Sequence, residues 1–156
     1  MSAYGAFSIR QDRGRTIDAE WHEVVTRMPL FASLGKRELR KLMREAEFAV
    51  FVPGDIVLGE DSPADFFYAV VDGEAEVRGV ATPPRLGRGD YFGEAALLDG
   101  ASSSATVVAT NELTVMRLPG AVFLRLVERS PRAALTILRR LGSRARSDAR
   151  PLPDAA

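Results

Sequence analysis

Between Phe48 and Leu118 glycine, proline and aspartate cut the chain into short apolar runs, and this rhythm restricts the fold more than any other feature. Phe48–Val52, Asp55–Leu58 and Phe66–Val71 are β-prone, divided by Pro53-Gly54, by Glu60-Asp61-Ser62-Pro63 and by Asp72-Gly73. Glu74 to Arg78 alternates strictly, which predicts Ala75 and Val77 inward and the charges outward. Ser104–Val108 and Leu113–Leu118 close the series. Strands this short, at about ten-residue spacing with turn signals between them, predict an antiparallel sandwich or barrel.

Helical patterns flank this region. Ile17, Trp21, Val24, Val25 and Met28 recur at helical spacing until Pro29, and Leu30, Phe31 and Leu34 form an apolar turn. A second helix starts after Gly35, with Glu38 in a capping-box position and Leu39, Leu42, Met43 and Ala46 on one face. Beyond the strands, Pro119 suits a first helical position, and Val122, Phe123, Leu126 and Val127 make an apolar stripe. Ser130-Pro131 restarts a helix, serine as cap, whose narrow stripe Ala134, Leu135, Leu138 and Leu141 is otherwise surrounded by arginine. Such a stripe wants a lid position or a coiled partner. The chain therefore divides into a mobile polar segment 1–16, one α+β domain over 17–146 and a disordered tail 147–156.

With 156 residues there is length for one domain with a real core. No cysteine is present, which excludes disulfides, zinc-thiolate sites and cysteine nucleophiles. His22, beside Trp21, has no acid–base partner near it in sequence, and three consecutive serines lack the base and orienter of nucleophilic catalysis; no enzyme is expected. No metal site is expected either. Without a run of about 18 apolar residues or a signal-peptide core, the expectation is a soluble cytoplasmic protein with no membrane contact of its own. Twelve acids face three arginines between Glu45 and Asp99, whereas nine arginines face two acids between Arg117 and Arg150. These parts either pack on each other or on a partner, or simply form a solvated basic helix face. No element that reads nucleic acid is recognisable.

The stretch "YFGEAALLDGASSSATVV", residues 91–108, carries the chemistry. Gly93 allows close backbone approach, and the N–H groups after it open a short helix where donors and dipole favour an anion. The plainer alternatives are that Gly93 serves only the turn and that Glu94 caps the helix.

The segments "PLFASLGKREL", "FVPGDIVLGEDSPADFFYAVVDGEAEV", "LGRGDYFGEAALLDG" and "SATVVATNELTVMRLP", in this order, resemble the cyclic nucleotide-binding domain family over about residues 20–145. This is the sensor module of catabolite-activator-type regulators, cyclic-nucleotide-dependent kinases and gated channels. The resemblance implies an eight-stranded β-jelly-roll barrel flanked by an N-terminal helical bundle and two C-terminal helices. It also implies that Glu94 accepts from a ribose hydroxyl. The candidate ligand is cAMP or cGMP. Its phosphate would lie on the Phe92, Gly93, Glu94, Ala95 and Ala96 segment with Ser103, Ser104 and Ala105 around it, and Val77, Leu86 and Val107 would wall the base.

One departure stands out. The family's pocket carries a phosphate-pairing arginine two residues before the alanine that begins the closing strand, and that position here is Ser103. A hydroxyl replaces a bidentate guanidinium, a difference of about 1.5–3 kcal/mol or roughly 10- to 150-fold in affinity. Arg78 and Arg85 are expected to face solvent and Arg88 to reach the rim at best. Arg139, Arg140 and Arg144 reach the pocket only if the last helix folds over it. Besides the sensor, whose moving C-terminal helix is read by an effector protein or a fused domain, a second reading is a degenerate, ligand-independent interaction module. In that reading Leu135, Leu138 and Leu141 bury against a twin chain, as a homodimer, or against a host. A catabolite-activator-type transcription regulator would need a DNA-reading domain after residue 145.

Overall fold

The computed structural model describes residues 8–10, 19–79 and 84–148. Its strands are β1 (Ser8–Arg10), β2 (Glu47–Phe51), β3 (Ile56–Leu58), β4 (Phe66–Asp72), β5 (Ala75–Arg78), β6 (Arg85–Leu86), β7 (Tyr91–Phe92), β8 (Thr106–Ala109) and β9 (Leu113–Pro119). The helices are α1 (Ala19–Arg27), α2 (Lys36–Glu45), α3 (Glu94–Asp99), α4 (Gly120–Arg129) and α5 (Pro131–Asp148). All pairings are antiparallel, in a five-stranded sheet ordered β1-β2-β9-β4-β7 and a four-stranded sheet ordered β3-β8-β5-β6. The expected α+β jelly roll is present as these two sheets facing each other across a shared apolar interior.

Strand β4 shows how the sequence builds two cores. Its run Phe66–Val71 is continuous rather than alternating because both faces are covered. Tyr68 and Val70 point between the sheets, joining Phe51, Val57, Ala75, Leu86, Phe92, Val107, Leu113 and Val115. Phe67, Ala69 and Val71 point the other way, onto Met28, Leu30, Phe31, Leu42, Phe123, Leu126, Ala133 and Ile137 of the helical layer. In β7, Tyr91 joins the helical core and Phe92 the intersheet core. By contrast β5 is less covered: Ala75 is buried and Arg78 exposed, but Glu76 is half-buried like Val77, so the strict alternation expected of it is blurred.

Several boundaries differ from the sequence expectation. Ser8–Arg10, within the segment expected to be mobile, pairs with β2 as an edge strand. Gly35 caps α2 without a side-chain bond, so the capping box does not form. Pro119 ends β9, paired with Phe66, and α4 begins one residue later. Ser130 does cap α5, its Oγ accepting from Ala133 N–H at 3.2 Å. That helix runs through Asp148, past the expected start of a tail. Its buried face is Ala133 and Ile137, with Leu141 packed beside them, whereas Leu135 and Leu138 stay 45% and 63% exposed. The expected stripe is therefore split, because the helix is apolar on two lines and the core takes the 133–137–141 line. The short Gly79–Pro84 connection, which Pro83-Pro84 would stiffen on the sequence alone, lies mostly outside the described residues. No described helix is long and apolar enough to cross a membrane.

Candidate functional site

Residues 91–105 fold into a strand, a turn, a short helix and a returning loop. Alternation along β7 sends Phe92 inward, stacked on Tyr68 with ring centroids 4.9 Å apart. Gly93 turns the chain at φ 85°, a conformation that favours glycine, and a Cβ there would come within 3.0 Å of Phe66 O and 3.2 Å of Tyr68 Cδ2. It serves both the turn and the close approach to β4. Glu94 then opens α3 and is only 1% exposed. Ala95 is exposed, while Ala96 and Leu97 are buried.

The returning loop is tied to the β3–β4 connection. Ser103 N–H donates to Ser62 O at 3.1 Å, and Asp61 N–H donates to Ser103 O at 2.9 Å. Ser103 itself is buried, and its hydroxyl donates to Ala105 O at 2.7 Å. A hydroxyl has one proton to give, so the donor expected to face an anion is already engaged. Ser104 is exposed and Ala105 half-buried. On the inner face of the four-stranded sheet, Val77 pairs with Val107 and Ala75 with Leu86, so the three residues expected to form one apolar wall lie together.

The arginines divide clearly. Arg78 and Arg85 are exposed, and Arg88 pairs at the surface with Glu20 at 3.0 Å and Asp72 at 3.2 Å. Arg117 places Nε and Nη2 on Glu47 Oε2, at 2.8 and 2.6 Å, across the β2–β9 pairing. Arg139 is exposed. Among the described residues, the two arginines that reach the 91–105 segment come from α5. Arg140 donates to Tyr91 O at 2.8 Å with its guanidinium 3.9 Å above the Tyr91 ring. One turn later, Arg144 Nη1 lies 3.1 Å from Glu94 Oε1. A buried carboxylate is costly unless paired, and Arg144 is its partner. Through these two side chains the last helix touches the segment at Tyr91 and Glu94, and sequence reasoning could not choose which of its arginines would do so.

Burial pushes the Tyr91 phenol above its ordinary value of 10.0, with the Arg140 charge working against the rise. Tyr68 is raised too, chiefly by burial. The unfolded chain ionises these phenols first, so the stability they contribute is intact below pH ~10 and lost as pH rises through their folded values. A thermal unfolding series across alkaline pH, with tyrosinate absorbance followed in parallel, should show a melting temperature that begins to fall only above about pH 10. Full ionisation of both phenols at pH 10 without loss of fold would contradict the burial.

At the head of α4, Gly120 N–H donates to Asp65 O at 2.8 Å. A Cβ on Gly120 would lie 2.6 Å from Leu97 Cδ2. Glycine thus lets α3 press directly on the first turn of α4.

The profile of the cyclic nucleotide-binding domain matches residues 48–130. This chain belongs to the cyclic nucleotide-binding domain family. It is 40% identical over 102 residues to the cAMP-dependent protein kinase regulatory subunit of Eremothecium gossypii, a match covering 64% of this chain and 22% of the relative. Among solved structures it is similar to cAMP-bound PfPKA-R, with TM-score 0.70 and 25% identity over 81% of this chain and 44% of that one. It is also similar to the Thermus thermophilus catabolite activator protein, with TM-score 0.64 and 26% identity over 76% of this chain and 59% of that one. The chain spans between 21% and 32% of the length of the curated relatives it matches. The segment from Phe92 to Ala105 lies within the matched region.

Proposed function

We propose that this cyclic nucleotide-binding domain senses cAMP, cGMP or a related small anion in the cytoplasm and reports it by moving α5. The observation that carries this reading is the contact of α5 with Glu94 through Arg144, reinforced by Arg140 on Tyr91 O just before the candidate segment. A ligand hydroxyl that uses Glu94 shares the carboxylate that holds α5, so ligand capture bears directly on how α5 is seated. Leu97 against Gly120 offers a second route, because any inward shift of α3 is felt at the start of α4. An effector protein or a fused domain reads the moved helix; no catalytic step belongs to this chain.

A ligand-independent interaction module is favoured by a different observation. The Ser103 hydroxyl is committed to Ala105 O, and Leu135 and Leu138 are exposed along α5, where a twin chain or a host protein would bury them. Calorimetry of the native chain with cAMP and with cGMP separates the two. Heat fitting a micromolar dissociation constant is the expected result. Absence of heat, together with a dimer by light scattering that Leu138→Glu dissociates, would establish the interaction module instead.

A further inference from the structure

We propose that Arg144 supplies, from α5, the cation that position 103 does not, clamping the nucleotide's phosphate while it still holds Glu94. This rests on the reading of the site as a cyclic nucleotide pocket and adds where its positive charge resides. Three observations converge. Ser103 offers an uncharged hydroxyl whose proton is already given to Ala105 O. Among the described residues, the arginines in contact with the 91–105 segment are Arg140 and Arg144. Arg140 is spent on the outer face of β7, seated on the Tyr91 ring and its carbonyl, away from the intersheet core that Phe92 enters.

Arg144 is differently placed. It touches Glu94, the first residue of α3, through a single N–H, and its side chain remains 40% exposed. A guanidinium carries five donors in a rigid fork, so one edge can stay on a carboxylate while the other takes an anionic oxygen. Lysine, with a single charged nitrogen, serves both partners poorly. A clamp placed on the lid has a consequence that a clamp within the pocket lacks. Phosphate binding and seating of α5 become one event, since the charge arrives only with the helix.

The test is a double-mutant cycle by calorimetry with cAMP, using the native chain, Arg144→Ala, Ser103→Arg and Ser103→Arg/Arg144→Ala. Arg139→Ala, which removes an exposed charge from the same helix, is the control for net charge. Arg144→Ala should weaken cAMP binding about 10-fold, the low end for a charged hydrogen bond because the side chain is half-exposed. Arg144→Lys should recover only part of that, and Arg139→Ala should change binding less than about 2-fold. In the Ser103→Arg background the Arg144→Ala loss should shrink to under about 2-fold, because the phosphate then has a clamp of its own. An equal loss in both backgrounds would make Arg144 a purely structural tie to Glu94 and overturn the proposal. Unchanged binding by Arg144→Ala would do the same, as would binding by Ser103→Arg when the native chain shows none. If neither the native chain nor Ser103→Arg binds, the nucleotide reading itself fails, and the clamp with it.

Discussion

Ser103→Arg is expected to tighten cAMP binding by about 10- to 150-fold, the range set by one charge-assisted, two-pronged contact to phosphate. The backbone at this position does not need to be rebuilt. Its N–H and carbonyl are held by Ser62 O and Asp61 N–H, so a longer side chain would start from a fixed origin in a site only 8% exposed. Burial matters because an ion pair in such a place is screened less by salt than one at the surface. The cost is the hydroxyl bond to Ala105 O, about 0.5–1.5 kcal/mol of stability, which should appear as a slightly lower melting temperature of the unliganded variant. Calorimetry of the two chains side by side reads the gain directly. No gain in affinity, with the fold retained, would mean that position 103 does not face the phosphate.

The turn at Gly93 was legible in the sequence, whereas the state of the Ser103 side chain was not. Short runs with glycine and proline between them mark strands and turns through local chemistry, and the Phe92-Gly93-Glu94 sequence marks its turn in the same way. Ser103 depends on Ser62 and Asp61, which reach it from the far end of another loop, and no local pattern carries that pairing. The α5 helix shows the same limit. Ala133 and Ile137 define one apolar line, Leu135 and Leu138 another, and the choice between them is made by the shape of the helical core. Once the 133–137 line is buried, Arg140 and Arg144 follow at the same helical spacing and are carried to Tyr91 and Glu94. The contacts of this helix with Tyr91 and Glu94 are thus a by-product of which stripe packs.

That packing rests on one aromatic cluster, and Phe67→Ala is expected to cost about 3–5 kcal/mol, a large part of the roughly 5–15 kcal/mol of a typical domain. Phe67 is fully buried on the outer face of β4. Its ring is stacked on Phe123 of α4 at 4.6 Å, meets Phe31 edge-on at 6.2 Å and tilts against Tyr91 at 5.5 Å. α4, β7 and the turn between α1 and α2 therefore share one ring of β4, and removing it leaves a cavity that none of them can close alone. Thermal unfolding should shift down by roughly 10–20 °C. Phe67→Leu, which keeps most of the volume, should cost well under half as much. The effect should also reach the site, since the Tyr91 ring that loses a neighbour on one side carries the Arg140 guanidinium on the other. Amide hydrogen exchange at a temperature where the variant is still folded should then show faster opening of α5 than of the intersheet core. Equal protection of both would mean that the helix is held by its arginines independently of the cluster beneath it.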